Sequence, residues 1–239
     1  MLSGTRLDRG AFVAVDIETT GSRPGIHSII EIGAVRIEGG RLVASFAALV
    51  APNDPVPPAV EALTGITREI LLGAVALPEA LEAFRDFAEG AVLIAHNHRF
   101  DLGFLDYESE VMWGRAFPRP VLDTLSLANR LHPEDDRHNL RDLAARYATS
   151  STPTHRALAD ARAAGEVFLA MTPALEARGL RTAADVAAFC GMAGQGSLAK
   201  ALPLTTRLPD ARGVYVFRDA EGRVVHVGRA KNLRIKVRS

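Results

Sequence analysis

Asp16 and Glu18 stand two residues apart at the end of an apolar run, AFVAV at 11–15. Residues i and i+2 of a strand share one face, so both carboxylates converge there. Two charges at the mouth of a buried strand call for compensation, and a divalent cation bound through oxygen is the usual source. Alone, the pair fits a surface acid pair equally well. Two further acids sit in comparable settings. Asp101 lies six residues beyond the apolar run AVLIA at 91–95, where a helix should begin and where an aspartate also serves as a cap. Asp160 follows His155 by five positions in HRALAD, which puts the imidazole at the mouth of the helix that carries the acid. A histidine, with an ordinary pKa of about 6.5, can take up a proton near neutral pH. His96 and Asp101 repeat the five-residue offset, so spacing does not choose between the two histidines. His96, directly after a buried strand, also reads as an ordinary buried polar residue.

The elements that must position these groups are legible in the apolar pattern. The continuous run at 11–15 predicts a central strand buried on both faces. Strands at 29–37 and 41–50 follow, joined by a tight turn at Gly39-Gly40. Pro52, Pro55, Pro57 and Pro58 mark an exposed connection. Helices are expected near 59–72 and 79–89, the second with Pro78 in its first turn. Then come a strand at 91–95, a helix near 101–112, a strand at 121–123 and helices near 125–131 and 139–147. A long helix is expected from about 156 to Met171. This order predicts an α/β domain with a mixed sheet flanked by helices. Over residues 172–200 the pattern is helical and alanine-rich, broken by Gly179 and by GMAGQG at 191–196. That stretch lacks the Gly-Lys-Ser/Thr ending of a phosphate loop and reads as linker.

The chain has 239 residues, 48% of them hydrophobic, enough for a substantial core. Its single cysteine, Cys190, excludes an internal disulfide and any multi-cysteine zinc site, and reads as a packing residue. No run approaches 18 apolar residues and no signal peptide is evident, so the expected location is the cytoplasm, away from membranes. The net charge of zero hides a split: residues 1–204 carry −6 and residues 205–239 carry +6. The expected organisation is a catalytic domain at 1–172, a helical connector at 173–203 and a basic segment at 204–239.

FVAVDIETTG, LIAHNHRFDLGFL and HRALADA, in this order, resemble the motifs of the DEDDh 3′–5′ exonuclease superfamily, especially the epsilon proofreading subunit of bacterial DNA polymerase III. The resemblance covers about residues 11–171, and LTGIT at 63–67 and LDTL at 122–125 also look like that family. It implies an RNase H-like fold in which Asp16, Glu18, Asp101 and Asp160 hold two Mg²⁺ or Mn²⁺ ions, Asp16 bridging them. It also implies His155 as general base and the backbone at Thr19 and Thr20 lying along the terminal nucleotide. Phe100 reads as a stacking surface or as core. The expected partners are nucleic acid, with single-stranded or frayed 3′ ends of DNA first, and a DNA polymerase or repair proteins. An RNA-trimming enzyme would use the same residues. A non-catalytic adaptor is the rival of another class, against which the complete set of acids and histidine speaks. Bound divalent ions would reverse the local sign of an acidic body.

Residues 204–239 resemble the start of a GIY-YIG nuclease domain of UvrC type. The match rests on Gly213-Val214-Tyr215, a turn at 219–222, and HVGRAKNLRIKVRS. His226 stands where the second tyrosine is expected and Lys236 where the catalytic arginine is expected. Tyr215, His226 and Lys236 are therefore expected to form a vestigial site that binds without cutting.

Overall fold

The computed structural model describes residues 4–117, 120–191, 209, 211–218, 222–230 and 233. They fall into two compact units, Met1–Ala193 and Gly194–Ser239.

The first unit is built on a five-stranded sheet of β1 (Ala11–Thr19), β2 (Ile29–Glu38), β3 (Arg41–Leu49), β4 (Val92–Ala95) and β5 (Val121–Asp123), in the order β3-β2-β1-β4-β5. β1, β2 and β3 run antiparallel, while β4 and β5 lie parallel to β1 on its other side. The helices are α1 (Pro58–Thr64), α2 (Leu77–Phe87), α3 (Arg99–Trp113), α4 (Thr124–Leu131), α5 (Leu140–Arg146), α6 (Ala157–Ala177) and α7 (Ala183–Phe189). The sheet is a mixed one flanked by helices, the RNase H-like arrangement.

The alternation of β1 sorts the core into two layers. Phe12 and Ala14 face α6, meeting Val167, Phe168 and Met171 in a cluster that also takes in α4, α5 and α7. Val13, Val15 and Ile17 face the opposite way, toward Leu81 and Phe84 of α2 and Phe104 and Leu105 of α3. β1 is longer than its apolar run. It pairs with β2 through Thr19, so Asp16 and Glu18 lie within the strand and not beyond its end. They share the α6 face with Phe12 and Ala14.

Two elements depart from the sequence reading. The helix expected over 59–72 stops at Thr64, because Gly65 adopts a left-handed conformation (φ 70°) and donates its N–H to the Glu61 carbonyl. Only a short 3-10 turn, Ile70–Gly73, follows. The long helix continues past Met171 and through Pro173 to Ala177, where burial of Leu175 rewards the extra turn. α7, capped by a reciprocal Thr182–Asp185 box, then adds Ala183, Val186 and Ala187 to the same core. Residues 173–191, expected to be connector, are thus part of the first unit. Cys190 is half-buried against this cluster, and burial pushes its thiol up to about 11. Of GMAGQG, only Gly191 is among the described residues.

The second unit contains an antiparallel pair, β6 (Gly213–Arg218) and β7 (Val224–Ala230). Tyr215 pairs with Gly228, and the tyrosine ring occupies the space a β-carbon there would need. Backbone pairing places His226 opposite Phe217. Lys236, the tip of the turn at 219–221 and most of the segment after 230 lie outside the described residues. No described helix is long and apolar enough to cross a membrane.

Candidate active site

Three elements meet around the β1 carboxylates. On β2, Gly33 lies opposite Asp16 and Glu31 opposite Glu18. A β-carbon on Gly33 would collide with the backbone of Ala157 and Leu158, so the bare glycine lets the first turn of α6 rest on the sheet. That turn carries Asp160. Polar atoms of Glu18, His155 and Asp160 lie within 4.8 Å of one another. From the other side, Asp101 enters on the first turn of α3, only 3% exposed, and its Oδ1 accepts the Ile17 N–H at 3.2 Å. The cap expected of Asp101 is therefore not made at its own helix; the acid bonds to β1 across the chain.

The crowding is written into the acidities. Burial, then the charges of Asp101, Asp160, Glu18 and Glu31, hold the Asp16 carboxyl well above the usual range. Burial raises Glu18 to about 7, with Asp160 and Glu31 adding to it and Arg156 opposing. Burial also raises Asp101 to about 8, against the Ile17 N–H. Asp160 is raised by burial too, opposed by backbone N–H groups of Thr154, His155 and Arg156 and by the His155 charge. Among the described residues, no Lys or Arg pairs with any of the four. Carboxylates held this close to one another, with no basic side chain paired to them, are what a divalent cation would stabilise, and an all-oxygen set beside one imidazole suits a hard ion. The residues fit the group.

His155 is exposed and sits in a left-handed conformation (φ 58°). Such a backbone costs a non-glycine residue about 1–2 kcal/mol and needs holding from both sides. On one side, Asp160 Oδ1 accepts the Thr154 N–H at 2.8 Å. Further back, Glu166 accepts the Ser150 hydroxyl at 2.7 Å and the Ser151 N–H at 3.0 Å, tying the incoming loop to α6. On the other side, Arg156 is paired with Glu31, Nη2 to Oε1 at 2.7 Å. His96, the competing histidine, is half-buried elsewhere, with Nδ1 3.0 Å from the Thr124 hydroxyl and its pKa lowered by burial. The structure brings His155, and not His96, to Glu18 and Asp160.

Residues 13–168 match the model of the Exonuclease family (RNase_T), some two thirds of the chain. The chain belongs to this exonuclease family. A Mycobacterium tuberculosis relative named "Putative bifunctional exonuclease/endonuclease protein MT2247" is 39% identical over 238 residues, covering 95% of this chain and 36% of the relative. A DNA polymerase III subunit epsilon-like protein of Rhodobacter capsulatus is 44% identical over 186 residues, covering 76% of this chain and 26% of the relative. The exonuclease chain thus spans about a third or less of the length of these two curated relatives. Among solved structures, Exonuclease X in complex with 5′ overhanging duplex DNA shares the fold, with a TM-score of 0.59 at 24% identity over 75% of this chain and 99% of that one.

Around the exonuclease site, several residues that motif reading passed over act as supports. Asp123, at the end of β5, accepts the N–H of Asn97 at 2.8 Å and the Ser126 hydroxyl at 2.7 Å, with His98 Nδ1 3.3 Å away but poorly aligned for a hydrogen bond. Burial works to raise its carboxyl, yet His98, Ser126 and the Asn97 N–H outweigh it and hold the group at about 2. Asp123 thereby ties down the 96–98 turn, with its left-handed Asn97, that launches α3 and Asp101. Its signal was a lone acid closing a three-residue buried strand. Thr19 and Thr20 are buried; the Thr19 hydroxyl donates to the Gly21 carbonyl at 2.6 Å, and the Thr20 hydroxyl accepts the Ser28 N–H at 2.9 Å. Phe100 is 37% exposed and tilts against Phe104 at 5.4 Å, so it presents one edge outward and one to the core. A second donor group, His132, Glu134 and Asp135, already surrounds the Arg146 guanidinium, which supplies its positive charge.

Proposed function

We propose that this exonuclease shortens nucleic acid from the 3′ end, acting on single-stranded or frayed DNA termini in repair or proofreading, with Mg²⁺ or Mn²⁺ held by Asp16, Glu18, Asp101 and Asp160. The observation that carries the reading is the convergence of Glu18, Asp160 and His155 within 4.8 Å beside the crowded carboxylates of β1 and α3. When bound, divalent cations supply positive charge against the scissile phosphate and lower the pKa of the attacking water. His155 takes the proton from that water as its oxygen bonds to phosphorus. The bond from phosphorus to the 3′ oxygen of the preceding nucleotide breaks, releasing a nucleoside 5′-monophosphate. That 3′ oxygen takes a proton from solvent and becomes the new 3′ hydroxyl. The Thr19–Thr20 backbone and the outward edge of Phe100 line the approach and would orient the terminal nucleotide.

The basic segment reads as a binding appendage. Its net charge of +6 attracts phosphate. The relative that matches over 238 residues carries an exonuclease and an endonuclease activity in its name, which supports a nuclease ancestry for the segment. Matched 5′-labelled single-stranded DNA, mismatched-end duplex and short RNA, incubated with Mg²⁺, Mn²⁺ or EDTA, test the reading. Metal-dependent ladders that shorten from the 3′ end, fastest on DNA, are expected. Ladders from the 5′ end, or activity undiminished by EDTA, would overturn it, and preference for RNA would reassign the substrate.

A further inference from the structure

Glu31 belongs to none of the exonuclease motifs, yet it is only 4% exposed and lies at the centre of the site's wall. It stands directly across from Glu18 on the neighbouring strand, an arrangement that is unfavourable for two like charges unless something offsets it. The offset comes from α6. Arg156 binds Glu31 with both arms of its guanidinium, Nη2 to Oε1 at 2.7 Å and Nε to Oε2 at 3.2 Å. The Ala157 N–H, one of the unsatisfied donors at the start of α6, donates to Oε2 at 2.8 Å. Three hydrogen bonds thus fasten the helix start to β2, two residues along the strand from the glycine over which the helix passes. The fastening falls one residue beyond the left-handed His155 and three before Asp160.

Among the described residues, Arg156 is the basic group whose positive charge opposes the rise of the Glu18 carboxyl. It could therefore satisfy the site's negative charge itself, in place of a cation, if it were not held elsewhere. Bidentate pairing with a buried carboxylate is the geometry that holds an arginine most firmly.

We propose that Glu31 is a positioning residue with two jobs: it anchors the start of α6, so that the adjoining His155 is held toward the site, and it keeps the Arg156 guanidinium away from the carboxylates that would hold divalent cations. This rests on the reading of those carboxylates as the cation site. The two jobs separate in a double-variant cycle on the full chain, read by calorimetric titration with Mn²⁺ and by turnover on single-stranded DNA. Glu31→Ala should weaken Mn²⁺ binding roughly 10–100-fold, as loss of a supporting group commonly does, because the freed arginine competes for the carboxylates. Adding Arg156→Ala should restore Mn²⁺ affinity to within about threefold of the parent by the same reasoning, while kcat stays low because the anchor is still missing. A residue that served only the fold would give a double variant no better at binding Mn²⁺ than Glu31→Ala. That result, or unchanged Mn²⁺ affinity in Glu31→Ala, would overturn the proposal. Should Glu31→Ala fail to fold, Glu31→Gln keeps an oxygen for the Ala157 N–H, and its Mn²⁺ affinity must fall and recover in the same way. A parent protein that binds no Mn²⁺ would instead refute the cation site itself.

Discussion

Asp101 and His155 flank one site but are held in opposite ways. Asp101 is buried on a helix turn, bonded to the backbone of the central strand, and backed by the Asp123 network that fixes the preceding turn. His155 is exposed, bears a strained backbone, and is kept in place by neighbours, Thr154 through Asp160 and Arg156 through Glu31. The wall that would hold charge is largely withdrawn from solvent and carried on regular elements, β1, α3 and α6. The group that would move a proton is wet and set by a loop. Such a division suits the two tasks, since carboxylates gain cation affinity from confinement, whereas a base must exchange its proton with solvent after each turnover.

Disruption of the carboxylate wall should have the largest effect. Asp16→Ala is expected to lower turnover by roughly 10³-fold or more, as loss of a metal-ion site would. Thermal unfolding in EDTA should show a melting temperature level with the parent or higher, because one of four mutually repelling carboxylates is gone. A clear fall in EDTA would mark Asp16 as a structural residue.

His155→Ala should cost roughly 10²–10⁴-fold in rate with Mn²⁺ affinity largely kept, the ordinary range for removing a general base. His96→Ala should act through stability, by removing one of the two partners of the Thr124 hydroxyl, which also donates to the Ala95 carbonyl at 3.3 Å, and by leaving space beside a buried strand. Single-turnover rates and melting curves on both variants decide it, and an exchange of their phenotypes would invert the roles given to the two histidines.

The raised carboxyls make a pH signature that sets them apart from Asp123. With Glu18 near 7 and Asp101 near 8, the cation-free folded protein binds more protons at neutral pH than the unfolded chain does. Their contribution to stability is therefore present below the ordinary carboxylate range and is lost as pH rises through about 7 to 8. Asp123 has the opposite sign: its contribution is present above the ordinary range and disappears as acid brings the pH down through about 2. Melting temperature in EDTA should thus fall between pH 5 and pH 8, and excess Mg²⁺ should flatten that slope. A flat or rising profile in EDTA would mean that the acids are not confined as described.

The smallest effect is expected from the second unit. Removing residues 205–239 should leave turnover at saturating substrate near its parent value, while weakening affinity and flattening its salt dependence. Supercoiled plasmid, which offers no ends, tests the residual chemistry in an Asp16→Ala background. Nicking that vanishes on Tyr215→Phe would show the segment to be an active endonuclease.

Much of this was legible in the sequence. Uninterrupted apolar runs located β1 and β4, and the ordered motifs named the four acids and the histidine that the fold gathers around β1. The supports were harder to see, because their meaning lies in what they touch. Glu31 reads as one outward position of an alternating strand, although isoleucines on both sides hinted that it is buried and must have a cationic partner. Arg156 has no signal apart from that partner. Asp123 was visible only as part of LDTL. The end of α1 was marked by Gly65, which the helical pattern overrode, and the extension of α6 across Pro173 depends on tertiary burial that no local rule contains.

Gly33 carries no functional group, yet the helix that follows His155 and carries Asp160 rests directly on it. In a saturation scan scored for activity, this position should tolerate substitution as poorly as the acids do, though for want of space and not of chemistry. Tolerance maps of this protein would then outline the site with one residue that no reaction scheme includes. A reader of such a map who equated intolerance with catalysis would misplace it, and the way to separate the two is melting temperature, which should drop for Gly33→Ala and hold for Asp16→Ala.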